Sequence, residues 1–441
     1  MIDLFRKNDG HFFAVLRGSA YALFAKVLII ALGFLNNILV ARYYGAELVG
    51  VLSVVHTLLS LLSLLSLSGL NQSILAIIPK RHIESEYSPF PFVVRVSIYV
   101  LVTSFLLSSS IYFGSDVWIK FLERRDQLKT AMLISSFFIA PYALRSLFLS
   151  FFRAIDAVKI FSVLQLVTPV ANLFILIFII AYSYAGLWVV YARLISAVVA
   201  VAASIVFFVF LFRRVQPSAQ GEYCPLNLLL LLKTSLPLCG VSLLVFSTSK
   251  ISILVYSLFV SEQNVGYYSV AVNTSILINV ALGCVNSMVA PKFAELHARK
   301  ERDTIFSVGI KTTRLICLAT IPLTVFLVLL GKVLLEIVYG VDFNIAYVPM
   351  IILAIGNCIN AIAGPNDIFL QMTGDQGVLH KMMWIGFTVS LLLYGPFIHW
   401  GGAGGAALAV VVGQCVWNCL AHIFILKKYD NSLMLFYSKP Q

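Results

Sequence analysis

Four basic residues stand inside long apolar runs of this chain: Lys26, Arg145, Arg193 and Lys250. A charge at membrane depth is costly, and one that persists there usually faces a protein cavity or a pathway. Arg95, Lys311 and Arg314 fall closer to the ends of such runs, where a long side chain reaches the headgroups. The acids do not match them, because no Asp or Glu lies in the middle of a run. Glu47 opens the second run and Asp367 lies near the end of the tenth; with Arg314, they are candidates for pairing or gating. A cavity lined by Lys26, Arg145, Arg193 and Lys250 would carry a positive potential and suit an anion. Arg grips a phosphate through two parallel hydrogen bonds, whereas Lys acts as a point charge.

The elements that must position these charges are transmembrane helices. Of 441 residues, 60% are hydrophobic and 11% charged, against about a quarter charged in a soluble domain. The mean hydropathy of +0.96 agrees. A span needs about 20 mostly apolar residues. That ruler gives twelve: 18–41, 48–70, 92–114, 130–152, 160–182, 186–212, 236–259, 266–289, 306–330, 347–371, 380–399 and 402–426. The expected fold is an all-α polytopic membrane protein, with six helices in 1–212 and six in 236–441. Between them, 213–235 ("RRVQPSAQGEYCPLNLLLLLKTS") reads as a cytoplasmic linker followed by an interfacial helix.

Orientation follows from the basic residues. With an even number of spans and a cytoplasmic N-terminus, 18 of the 31 Lys and Arg fall in inner segments and six in outer ones. The first basic residues precede a full-length apolar run with no small-residue cleavage site after it, so no removable signal peptide is expected. Seven cysteines with no CxxC pair argue against a disulfide framework or a zinc site. The charge of +12 is scattered between spans rather than massed in one domain, which excludes a nucleic-acid-binding module.

The chain also repeats. "VGVLSV" (49–54) returns as "VGYYSV" (265–270), a shift of 216 that places span 2 on span 8. Gly186, opening span 6, falls on Gly402, opening span 12, at the same shift. Asp156 pairs with Asp375 at 219, and Lys80 with Lys292 at 212. Matches at nearly one spacing, in register with the span count, indicate a duplication. An even number of spans per half gives a parallel repeat, a plan that suits alternating access. Two further features are structural. Gly401, Gly405, Ala409 and Gly413 form a stripe of small residues for close helix packing. Gly364 and Pro365 break span 10, as a hinge or a simple kink.

"ARYYGAELVGVLSVVHTLLSLLSLLSLSGLNQSIL" (41–75) resembles the bacterial polysaccharide flippases of the multidrug/oligosaccharidyl-lipid/polysaccharide exporter superfamily. "FFRAIDAVKIFSVLQLV" (151–167) and "WGGAGGAALAVVVG" (400–413) are similar to the same group. The resemblance covers essentially the whole chain and implies a fold of two six-helix bundles. It implies translocation of undecaprenyl-pyrophosphate-linked O-antigen units across the bacterial inner membrane, by a transporter rather than an enzyme. Membrane lipid is the second partner, and polysaccharide polymerase and chain-length proteins are candidate ones. No cofactor is implied, and the energy source stays open between a proton gradient, a sodium gradient and downstream polymerisation.

Two competing readings remain. A multidrug or cation antiporter of the same superfamily needs cavity acids, which are scarce here. A membrane-embedded polymerase or glycosyltransferase needs a long outer loop or acidic motifs, and neither is present. No GxxxxGK[ST] run marks an ATP site. The topology is testable: reporter fusions after Arg214 and after Ser183 are expected on opposite faces, the first cytoplasmic. The same face for both would overturn the span count.

Overall fold

The structure, a computed structural model, describes residues 10–84, 90–113, 126–214 and 228–434. Among the described residues every regular element is helical. The first half contains α1 (Gly10–Leu67), α2 (Leu70–Glu84), α3 (Phe90–Phe113), α4 (Asp126–Ser136), α5 (Ile139–Ala154), α6 (Val158–Ala181) and α7 (Leu187–Arg214). The second contains α8 (Leu228–Ser257), α9 (Glu262–Ala298), α10 (Arg302–Val338), a 3-10 turn (Val341–Ala346), α11 (Tyr347–Ala363), α12 (Asn366–Met372) and α13 (Gln376–Tyr429).

By length and apolarity, eight helices can cross a membrane, or ten when two bent pairs each count as one span. Twelve were expected, and the difference lies in two glycines. Helix α13 has 54 residues, about 80 Å at 1.5 Å per residue, far more than a bilayer core of about 30 Å. Gly402, at φ 52° and ψ −126°, breaks it. Gly386 faces the Gly413 carbonyl and Trp417, Gly413 faces Ser390, and Gly405 lies against the Phe397 carbonyl. That pairing is antiparallel, so α13 is a tight hairpin and the small-residue stripe lines its seam. Gly45, at φ 79° and ψ −179°, interrupts α1 in the same way.

The expected linker lies outside the described residues from 215 to 227. Beyond it the leucines expected as a separate interfacial helix are continuous with α8 (Leu228–Ser257), which carries Pro237 inside it. That helix is bent by 67° between Ser235–Thr248 and Lys250–Ser257.

The chain forms two compact units. Unit 1 comprises residues 1–43 and 58–243. Its core joins Leu67, Leu70 and Ile74 to Val93, Val96, Phe148, Phe151, Phe152 and Phe208. Phe208 of α7 sits 5.4 Å, centroid to centroid, from both Phe148 and Phe151 of α5. Several polar side chains within this apolar mass are bonded in place. Ser66 hydrogen-bonds Ser104 at 2.7 Å and Thr103 at 3.0 Å. Asn172 donates to Asn36 Oδ1 at 2.8 Å, while Asn36 donates to the Pro169 carbonyl at 3.1 Å. Such pairs hold helices together where water cannot replace a lost partner.

Unit 2 comprises residues 44–57 and 244–441. The two copies of the repeated motif meet inside it. A Cβ on Gly50 would fall on the carbonyl of Glu262 and 2.9 Å from the Gly266 nitrogen. A Cβ on Gly266 would fall on the carbonyl of Ala46. Residues 46 and 262 differ by the same 216 positions as residues 50 and 266, so the crossing is reciprocal, with a local two-fold character. Only glycine permits the backbones to touch there. Gly50→Val and Gly266→Val should each cost about 3 kcal/mol or more, because overpacking against rigid backbone has no cheap relief. Thermal melting of the purified variants checks this, with Gly33→Ala as control: that Cβ meets nothing within 4 Å, and the variant should melt like the parent.

Candidate functional site

Arg145 is placed by a bend. The stretch Thr130–Ser136 and Ile139–Ala154 form one span broken by 51°. The break leaves backbone groups to satisfy, and Ser108 of α3 donates to the Ser136 carbonyl at 2.6 Å. Helix α5 then restarts with Pro141 in its first turn, where a missing N–H costs least. Tyr142 and Arg145 follow one turn apart and so share a face. Leu147, Phe151 and Phe152 fill the core side.

Arg193 comes from α7, which packs on α5. The phenol of Tyr142 lies within electrostatic range of both Arg145 and Arg193. Both guanidinium side chains are half-buried. The Nε of Arg145 is buried and has no hydrogen-bond partner. A cation at membrane depth with an unsatisfied donor is a costly arrangement that folding alone does not favour. Two guanidiniums near one phenol bring several N–H donors that an anion can use, the Arg145 Nε among them.

The remaining expected residues are spread over both units. Lys26 is exposed on α1 in unit 1, the unit that holds the arginine pair. Lys250 belongs to unit 2, is half-buried, and begins the second arm of the bent α8. Glu47 is exposed, two residues beyond the Gly45 break. Asp367 is half-buried in the first turn of α12. Pro365 is buried between α11 and α12, beside Gly364 at φ 88°. Arg314 is exposed on α10. Among the described residues, no three His, Cys, Asp or Glu side chains are grouped to hold a metal ion, and the six described cysteines are free thiols.

The profile of a protein family described as "Polysaccharide biosynthesis protein" matches residues 15–297. The chain belongs to that family. One of its structural neighbours is described as a member of the MOP superfamily, the multidrug/oligosaccharidyl-lipid/polysaccharide exporters that the sequence resembles. No curated protein matched by sequence. Among solved structures, the chain is similar to a multidrug resistance MATE family transporter of that superfamily in an inward-facing conformation. The two share 12% identity over 90% of this chain and 94% of the other, at a TM-score of 0.75. It is also similar to the lipid II flippase MurJ in an inward closed conformation, with 15% identity over 92% and 87% and a TM-score of 0.72. A Vibrio cholerae MATE transporter matches at 15% identity over 94% and 98%, with a TM-score of 0.61. At these identities the likeness shows the fold, and that fold is one of membrane transporters.

For this polysaccharide biosynthesis family member, sequence reading picked out both arginines but missed Tyr142, whose only signal is its place one turn before Arg145 in "PYALR". Asn36, Asn37, Asn273, Asn279 and Asn357 lie in apolar runs and are candidates for interhelical hydrogen bonds; the structure gives such bonds to Asn36, Asn279 and Asn357. Asn279 does donate to Asn357 at 3.2 Å, and Asn357 to the Ser275 carbonyl at 3.1 Å. Asn418, which donates to Asn360 at 2.8 Å, was missed. A buried cation without full satisfaction should cost stability rather than add it. Arg145→Leu is therefore expected to melt at the parent temperature or above it, a gain of up to about 2 kcal/mol. A thermal melt of the purified variant decides, and a lower melting temperature would assign Arg145 a structural role.

Proposed function

We propose that this protein is a flippase for lipid-linked oligosaccharide, moving an undecaprenyl-pyrophosphate-linked repeat unit from the cytoplasmic to the periplasmic leaflet. The observation that carries this reading is the Arg145–Arg193–Tyr142 cluster at membrane depth, in a member of a polysaccharide biosynthesis family. A pyrophosphate is the anionic part of such a substrate and the part that a hydrocarbon layer most opposes. Guanidiniums already held in low dielectric offer it charge-assisted bonds in place of water. A cluster of few donors also lets the anion go, which a transporter must do at the far face. Lys26 in unit 1 and Lys250 in unit 2 each add a point charge of the same sign. The sugar chain travels with its pyrophosphate, the polyprenyl tail stays in lipid, and access alternates between the two faces.

Both halves of the reading are testable in a strain lacking the protein. Wild type should restore surface glycan and clear precursor from the inner leaflet. Arg145→Ala and Lys250→Ala, at equal membrane abundance, should lower surface glycan about tenfold or more, as losing one charged phosphate contact typically does. Normal surface glycan in the deletion strain, with lowered drug tolerance instead, would overturn the flippase reading in favour of antiport.

A further inference from the structure

The segment that follows the last helix is buried although nothing in its own pattern requires it. Asp430, at φ 51°, ends α13 in the left-handed region and turns the chain back. Ser432 and Leu433 then have no exposed surface. Leu433 enters a cluster with Phe293 and Leu296 of α9, Phe306 of α10, Phe369 of α12 and Leu379 of α13. Its carbonyl accepts a buried hydrogen bond from Thr313 Oγ1 of α10 at 2.7 Å. Ser432 Oγ lies 3.3 Å from His422 Nδ1 and accepts the Met434 N–H at 3.1 Å.

Other helices are shaped to receive it. A Cβ on Gly309 of α10 would collide with Leu433 Cδ2. A Cβ on Gly364 would lie 2.7 Å from Thr313 Oγ1 and 2.9 Å from the Leu433 carbonyl. Gly364 is also the break between α11 and α12, so Leu433 sits on the one interruption of that span. Just before the turn, Lys428 and Tyr429 hold Asp375 at 2.7 and 2.9 Å.

The backbone of the break is bonded, Gly364 N–H to the Ala361 carbonyl and Asn366 N–H to the Gly364 carbonyl, but its side chains are not. Pro365 has no N–H to donate. The side chain of Asn366 is fully buried, with neither its oxygen nor its nitrogen hydrogen-bonded. An opened break that admitted water would satisfy both atoms, so the closed form needs a counterweight. Leu433 and its carbonyl supply one.

We propose that Asp430–Met434 is a latch on the Gly364–Pro365 break, and that α11 and α12 pivot about that break only when Leu433 leaves its socket. A ligand or partner that captured the segment would thereby control the motion of unit 2. The device is independent of what the protein carries, so its test needs no substrate.

Cys317 reports on the latch. It is buried one turn beyond Thr313, with Sγ 3.7 Å from the Ala361 carbonyl. The assay is N-ethylmaleimide labelling of Cys317 in the full chain with the other six cysteines replaced by Ala. Leu433→Ala and Gly309→Ala should each raise the labelling rate about tenfold, as local opening rather than global unfolding. Leu327→Ala, a cavity made elsewhere on α10, should lower the melting temperature without that increase. Equal labelling of Leu433→Ala and Leu327→Ala at matched melting temperature would overturn the latch, as would no increase with Leu433→Ala. Should Gly309→Ala not fold, Leu433→Ala decides alone.

Discussion

A hydrocarbon layer supplies no hydrogen bonds, and the rest of this structure depends on that constraint. Each helix can satisfy its own backbone, but each break in a helix must find a partner from elsewhere in the protein. Ser108 donates to the carbonyl left at the bend before α5. Thr313 and the Leu433 carbonyl occupy the space beside the Gly364 break. The asparagines follow the same rule, pairing Asn36 with Asn172 and Asn279 with Asn357. At these places irregular backbone and polar side chains coincide with helix–helix contact.

With no hydrophobic force between helices in lipid, association relies on close packing, and small residues set how close it can be. Gly50 and Gly266 let two backbones touch, and Gly386 and Gly413 do so within the α13 hairpin. In the first pair the contact is reciprocal at the spacing of the internal repeat. A duplicated segment that meets its own copy keeps its glycine in both copies for one physical reason. The opening similarity between residues 49–54 and 265–270 is thus a packing constraint as well as a trace of duplication.

The half-buried arginines are the most costly departure from this economy, because they carry charge. Arg145 retains an unsatisfied Nε in the bundle that satisfies Ser66 and Asn36 completely enough to hold helices together. A guanidinium is the least easily neutralised basic group, and its planar fork suits a phosphate better than an ammonium does. Its energetic cost is consistent with a ligand that completes the site, which is the basis of the flippase reading.

Much of this was legible in the sequence because it is local or periodic. Apolar runs marked segments that are helical and apolar enough to cross a membrane, and the Gly364–Pro365 and Gly402 positions marked real breaks, since φ and a missing N–H are properties of single residues. Arg145 and Arg193 announced themselves as charges in apolar runs. Other features were not legible. The count by helix length stops at eight or ten because hydrogen bonding follows through Gly45 and Gly402, where the chain changes course. That Tyr142 comes within electrostatic range of Arg193, and that Leu433 fills the socket left by Gly309, depends on which helix faces meet. Periodicity tells a residue which face it is on and not what lies opposite, so only the tertiary structure decided those contacts.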